Sequence, residues 1–210
     1  IPEDMNKHAV DRYLDFLRYL GAEVHDAEFI LPLTDNTKAC AKQLLEQHHL
    51  SANNYVAVNP IAYWDTKLWD NGKFANLADQ IKEGLKLDVI FTGSNRTDAA
   101  DILSRMKKEG INLGGKTSLP ILAEIYKSAR AVITTDSGPM HLAAAMGTPV
   151  IALFGPTDPA RTGPYGKGHA VIRADLPCSP CLLKKCSTKE CMEEITPGQV
   201  YAALENQIRH

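Results

Sequence analysis

TTDSGPMHLAAAMGTPVIALFGPT, residues 134–157, contains the end of one buried strand, a polar turn, a short helix and a second buried strand. The apolar run Ala131-Val132-Ile133-Thr134 reads as a strand of a parallel sheet, buried on both faces. It stops at Asp136-Ser137-Gly138, and Pro139 opens an Ala-rich helix at the first-turn position that tolerates proline. Gly147 and Thr148-Pro149 end the helix, and Val150-Ile151-Ala152-Leu153-Phe154 makes the second strand. The polar turn therefore lies at the carboxyl end of a strand, where open α/β sheets bind ligands. A helix start with free N–H groups favours an anion. Asp136 can accept hydrogen bonds from sugar hydroxyls, and Ser137 can donate to a phosphate oxygen. His141, four residues on, shares the helix face of Ser137. Read alone, the tripeptide is equally a helix cap and the histidine a satisfied surface residue.

Outward from this unit, strands are expected at 55–59, 88–92, 150–154 and 169–172, with a short one at 111–113. Helices are expected at 73–86, 97–109, 119–129 and 139–146 between them. Strands alternating with helices of this length imply βαβ units and a Rossmann-like parallel sheet flanked by helices. Thr196-Pro197-Gly198-Gln199 is a capping box with proline at its first helical position, opening a last helix with Val200, Leu204 and Ile208 on one face. Near the start, Val10, Tyr13, Leu14, Leu17 and Leu20 form a helical apolar stripe ending at Gly21. Residues 31–50 hold a further strand-and-helix piece.

Composition narrows the function classes. Hydrophobic residues at 44% and charged residues at 23% are those of a globular domain. A formal charge of −2 lacks the basic surplus that a nucleic-acid binder needs, so no nucleic-acid partner is expected. No apolar run approaches the roughly 18 residues of a membrane span. Residues 110–117, Gly-Ile-Asn-Leu-Gly-Gly-Lys-Thr, fit the P-loop pattern G-x-x-x-x-G-K-[ST]. That mechanism needs a strand before the first glycine and a helix straight after the threonine. Here a charged helix end precedes Gly110, and a strand is expected inside the supposed loop. No G-x-G-x-x-G follows a strand, so a nicotinamide or flavin cofactor has no fingerprint. Asn95-Arg96-Thr97 fits the glycosylation acceptor pattern, with nothing else to suggest secretion.

Of five cysteines, Cys178, Cys181, Cys186 and Cys191 crowd into fourteen residues. Cys178-Ser179-Pro180-Cys181 has the gap of a metal knuckle, but the later gaps of four do not complete a paired pattern. Three alternatives stand: reduced structural thiols, disulfides, or a structural metal. Trp64 and Trp69 flank Lys67 and either wall a ligand pocket or pack the loop.

The 134–157 string, with Arg161-Thr162-Gly163-Pro164-Tyr165-Gly166 after it, resembles the donor-site signature of glycosyltransferase family 9, the lipopolysaccharide heptosyltransferases. The resemblance covers most of the chain. Residues 59–69, Asn-Pro-Ile-Ala-Tyr-Trp-Asp-Thr-Lys-Leu-Trp, resemble the loop in which a lysine reaches the donor diphosphate, which implies that role for Lys67. Residues 112–119 resemble the segment whose backbone holds the adenine, at Thr117. The Cys-rich tail and Ile195-Thr196-Pro197 also match. Two departures stand out: Ala62 and Tyr63 replace a phosphate-binding hydroxyl pair, and Ser94-Asn95-Arg96-Thr97 replaces a segment carrying an acid toward the ribose.

The resemblance implies the C-terminal domain of a two-domain GT-B glycosyltransferase, inverting, without a cofactor or catalytic metal. ADP-heptose is the implied donor and the lipopolysaccharide inner core the acceptor, approached at the inner face of a bacterial inner membrane. The implied donor-binding residues are Lys67, Thr117, Asp136, Ser137, Gly138 and His141. The family's catalytic aspartate sits near the start of an N-terminal domain. The chain opens at Ile1 directly into the first helix, so residues 1–50 are expected to be the end of that domain and its linker. Residues 51–210 are expected to be the nucleotide-sugar-binding domain, and no catalytic base is expected within the chain. A sugar-nucleotide epimerase, which also uses an Asp-Ser-Gly turn, and a non-catalytic nucleotide-binding module are the alternatives.

Overall fold

A computed structural model of the chain describes residues 4, 6–95, 97 and 99–209. Ile1 and Arg96, on which two expectations touch, lie outside the described residues. Two helices come first, α1 (Ala9–Tyr19) and α2 (Asp35–Glu46). The alternating body follows: β1 (Tyr55–Asn59), α3 (Asn71–Gln80), β2 (Asp88–Phe91), α4 (Ala100–Arg105), β3 (Ile111–Asn112) and α5 (Leu119–Ser128). It continues through β4 (Ala131–Thr135), α6 (Gly138–Ala145), β5 (Val150–Phe154), α7 (Pro159–Thr162), β6 (Ala170–Arg173), α8 (Glu190–Glu193) and α9 (Pro197–Arg209).

The strands form one parallel sheet in the order β3-β2-β1-β4-β5-β6. From β1 the chain winds outward to β3, then returns to β4 and winds the other way. The reversal leaves a crevice beyond the carboxyl ends of β1 and β4, the switch point at which doubly wound sheets bind ligands. Side-chain alternation feeds a core on each face. Val56, Val58, Ile151 and Leu153 meet α3, α4 and α9 on one side, through Phe74, Leu77, Ile102, Val200 and Leu204. Tyr55, Ala57, Val150, Ala152 and Phe154 meet α2, α5 and α6 on the other, through Leu45, Ile125, Tyr126 and Met140. Each large side chain removed from water in this way contributes about 1.5–3 kcal/mol.

Helix ends follow their local chemistry. Asp70 caps α3 by accepting the Lys73 N–H at 3.0 Å, and Thr34 caps α2 by accepting from Thr37 at 3.2 Å. The second half of the expected 73–86 helix widens into a π turn at Ile81–Leu85, closed by Lys86 in the left-handed region. Gly147, at φ +73°, closes α6 where a side chain would be strained. Residues 31–33 are not a strand, which corrects the expectation for 31–50: of that piece only α2 forms. The segment carries Leu31 and Leu33 against the α2–α5 core but pairs with no strand edge. Inside the P-loop look-alike, β3 pairs Ile111 and Asn112 with Ile90 and Phe91, and α5 starts only at Leu119. The phosphate cradle that the pattern requires is therefore not built there.

Candidate functional site

The loop after β1 is fixed from below. Asn59 is buried and donates through Nδ2 to Thr92 Oγ1 at 3.3 Å, while its Oδ1 accepts the Ile61 N–H at 3.3 Å. Thr92 in turn meets the Tyr126 hydroxyl at 2.9 Å, and burial pushes that phenol up to about 12. Thr135 Oγ1 donates to Ile61 O at 3.0 Å, tying the loop to the end of β4. At the far end, Trp69 Nε1 donates to Ile195 O at 3.0 Å with its ring buried against Phe74. A 3-10 turn at Asp65–Lys67 then places Lys67 at the crevice.

Lys67 Nζ sits 2.6 Å from Asp136 Oδ2 and 4.5 Å above the Trp64 ring centre. The same carboxylate oxygen accepts from Thr157 Oγ1 at 2.6 Å. Three strand ends, those of β1, β4 and β5, thus converge on Asp136, whose side chain is 6% exposed. Its Oδ1 accepts no hydrogen bond from a described residue, so one carboxylate oxygen is left for a ligand hydroxyl. The two tryptophans divide: Trp64 walls the site and Trp69 packs the core.

Ser137 precedes α6 in extended conformation and makes no side-chain cap bond. Its hydroxyl donates to Thr135 O at 3.2 Å and lies 3.3 Å from Thr134 Oγ1. Among the described residues the N–H groups of Ser137 and Gly138 have no acceptor, and Pro139 has no N–H to offer. A Cβ built on Gly138 would meet nothing within 4 Å, so the backbone there is open to a ligand. His141 faces the same space, one turn on. Desolvation pulls its pKa below the ordinary value; nearby Asp136 opposes this, while His8 and Lys67 reinforce it.

Lys67, Asp136, Ser137, Gly138 and His141 line one cavity of about 570 Å³. Thr117 is not in it. It lines a second cavity of about 380 Å³ with Leu119 and Leu122, which meets the first at Tyr63, Ser137 and Gly138. The six expected residues thus occupy one trench along the carboxyl edge of the sheet, with an apolar end at Thr117 and a charged end at Lys67. Its middle is the open start of α6. A flat base, an anionic centre and a polyhydroxyl group match that order of surfaces.

Several lining residues were not among the expected ones: Thr157, Asp158, Arg161, Thr162 and Leu182. The first four belong to the sequence that follows β5, where Thr157, Arg161 and Thr162 entered only through the resemblance. Leu182 had no local signal at all. The tail that carries it folds back over the site loop: Leu183 O accepts from Thr66 Oγ1 at 2.7 Å, and Lys184 lies 5.2 Å over Trp64. The five cysteines are free thiols, and no group of three or more metal-ligand side chains converges among the described residues. Burial raises the Cys191 thiol pKa, with Cys181, Cys178 and Cys186 adding to it.

Comparison with known proteins bears on these surfaces. The model of glycosyltransferase family 9 (heptosyltransferase) matches residues 1–192. Lipooligosaccharide heptosyltransferase 2 of Campylobacter jejuni subsp. jejuni serotype O:2 is 29% identical over 99% of this chain and 67% of its own length. The family 9 glycosyl transferase from Veillonella parvula DSM 2008 superposes with a TM-score of 0.85 at 25% identity, over 97% of this chain and 60% of that one. The E. coli ADP-heptose lps heptosyltransferase II superposes at 0.68 with 27% identity, over 85% of this chain and 53% of that one. The chain therefore spans between about half and two thirds of the length of these relatives.

Proposed function

The chain belongs to glycosyltransferase family 9, its sheet is that of a GT-B enzyme, and we propose that it supplies the donor side of an inverting heptosyl transfer. ADP-heptose is the donor in this reading and the lipopolysaccharide inner core the acceptor. The observation that carries it is the Lys67–Asp136 pair at the switch point, beside the unpaired N–H groups that open α6. Asp136 holds the lysine in place before any ligand arrives. An incoming diphosphate draws Lys67 toward itself, and the carboxylate so released takes the sugar hydroxyls. Thr157 keeps its grip on Oδ2 throughout.

In the transfer, an acceptor hydroxyl attacks the anomeric carbon as the bond to the diphosphate breaks. Negative charge grows on the leaving phosphate, and Lys67 with the α6 amides stabilises it there. The helix dipole adds to this at short range. Adenine lies toward Thr117. Neither residues 1–50 nor the sheet domain offers the acceptor's base in this reading. The base and the acceptor surface belong to an N-terminal domain, of which residues 1–50 are the end and the linker. In support, α1 buries none of its residues and exposes Tyr13, Phe16, Leu17 and Tyr19. Catalysis then takes place at the inner face of the bacterial inner membrane, where the lipid-linked acceptor lies. No described helix is long and apolar enough to cross a membrane.

Calorimetry with ADP, UDP, adenosine and inorganic phosphate tests the reading. ADP should bind more tightly than each of the others. Equal affinity for ADP and UDP would remove the adenine assignment at Thr117, and no binding of any nucleotide would remove the donor site.

A further inference from the structure

Arg161 is a cation of the site cavity that no described residue neutralises. It lines the cavity with Lys67 and His141, and its Nε lies out of solvent with no hydrogen-bond partner among the described residues. The guanidinium forms no ion pair with a described residue. The two carboxylates that line the same cavity are engaged elsewhere: Asp136 holds Lys67 and Thr157, and Asp158 caps α7 by accepting the Ala160 N–H at 3.0 Å. Removing a guanidinium nitrogen from water without giving it an acceptor is unfavourable, so the arrangement points to an acceptor that comes with a ligand. An oxyanion meets Nε and one Nη of the planar fork together, which a neutral hydroxyl cannot do.

We propose that Arg161 is a second anion-binding residue of this site, its fork taking a phosphoryl or carboxylate oxygen of a substrate. The proposal rests on the donor-site reading above for which substrates enter the cavity. It adds a contact that Lys67 and the α6 amides do not make. That oxygen has two possible sources: the donor's own diphosphate, or an anionic substituent on the acceptor sugar. Arg161 lies in the cavity at the charged end of the trench and is absent from the Thr117 cavity, so the adenosine part of the donor is excluded.

The experiment compares wild type with Arg161→Gln and Arg161→Lys by calorimetry, with circular dichroism to check the fold. ADP and adenosine are titrated first, then inorganic phosphate into the ADP-saturated protein. If the donor is the source, Arg161→Gln weakens ADP by about tenfold or more and leaves adenosine unchanged. If the acceptor is the source, ADP is unchanged, wild type takes up phosphate beside bound ADP, and Arg161→Gln does not. In either case Arg161→Lys falls between, since it keeps the charge and loses the fork. Unchanged ADP affinity together with no Arg161-dependent phosphate uptake, in folded protein, overturns the proposal. Should ADP binding depend on Lys67 while neither ADP binding nor phosphate uptake depends on Arg161, the donor reading stands and this one falls. Should wild type bind phosphate through Arg161 but no nucleotide, the reverse holds.

Discussion

At the scale of single residues, the ion pair at the crevice makes Lys67 and Asp136 respond in opposite directions. Lys67→Ala removes the diphosphate's cation and should weaken ADP by about tenfold or more, the worth of one charge-assisted contact. It also leaves a nearly buried carboxylate with only Thr157, lowering stability by about 1–3 kcal/mol. Asp136→Asn instead frees the lysine from its internal partner. ADP should bind as tightly as to wild type or tighter, while an ADP-sugar loses the advantage its hydroxyls gain from the carboxylate. Titrating both ligands against both variants checks this. A parallel loss of ADP in Asp136→Asn would mean that the carboxylate positions Lys67 and does not compete for it.

His141 adds a pH dependence whose sign can be worked out. Desolvation holds its pKa below the ordinary histidine value. A depressed value in the folded state means that the unfolded chain takes the proton first as pH falls below about 6.5, so this group lowers stability in acid. A bound diphosphate favours the imidazolium and raises the pKa. ADP binding should therefore take up a proton and tighten as pH falls through the region below about 6.5. Calorimetry in buffers of different ionisation heat measures the uptake. The difference between wild type and His141→Gln removes the titration of ADP itself, and equal uptake by the two would exclude His141.

At the scale of elements, the start of α6 sets stability against binding. Gly138 stands in the first turn of that helix with open space where a Cβ would be. Alanine there meets no obstacle and should stabilise the fold by about 0.4–1 kcal/mol, chiefly by restricting the unfolded chain. The same methyl group projects into the space where an anion approaches the Gly138 amide, so ADP should weaken by several-fold. Thermal denaturation and calorimetry on one preparation decide it: higher stability with unchanged ADP affinity would show that no ligand comes close to this backbone.

Elements of this kind were legible in proportion to how local their causes are. The strands at 55–59 and 150–154 were bounded correctly because both faces are buried, so the whole run is apolar and its ends are polar. The Asp-Ser-Gly turn was legible because its chemistry lies in consecutive residues. Thr157 stood in plain sequence, but its approach to Asp136 depends on where β5 lies beside β4. The tail over the site was not legible at all: Thr66 and Leu183 are 117 residues apart, and no periodic pattern links them. Residues 31–50 read as a strand and a helix, yet Leu31 and Leu33 pack against the core of α2 and α5 without a sheet partner.

At the scale of the whole molecule, the 210 residues should bind donor and transfer nothing. The trench gathers Lys67, Asp136, Ser137, Gly138 and His141 from the ends of β1 and β4 and the start of α6, so the phosphate contacts of the proposed donor would lie within one layer of the sheet. In the proposed reading the base that deprotonates the acceptor hydroxyl comes from outside that layer. Asp136 is held by a lysine and a threonine, Asp158 caps α7, and His141 is a further proton acceptor among the described lining residues. Loss of a positioned general base lowers a rate by about 10²–10⁴, and loss of acceptor alignment lowers it further. The relatives carry the additional length from which an opposing wall can come, since the chain spans only 53–67% of them. Incubation with ADP-heptose and a truncated lipopolysaccharide acceptor should therefore give saturable donor binding and no product. Efficient transfer by these residues alone would place a base among them, with His141 the first to replace. Transfer that survives His141→Gln would then overturn the division of labour itself.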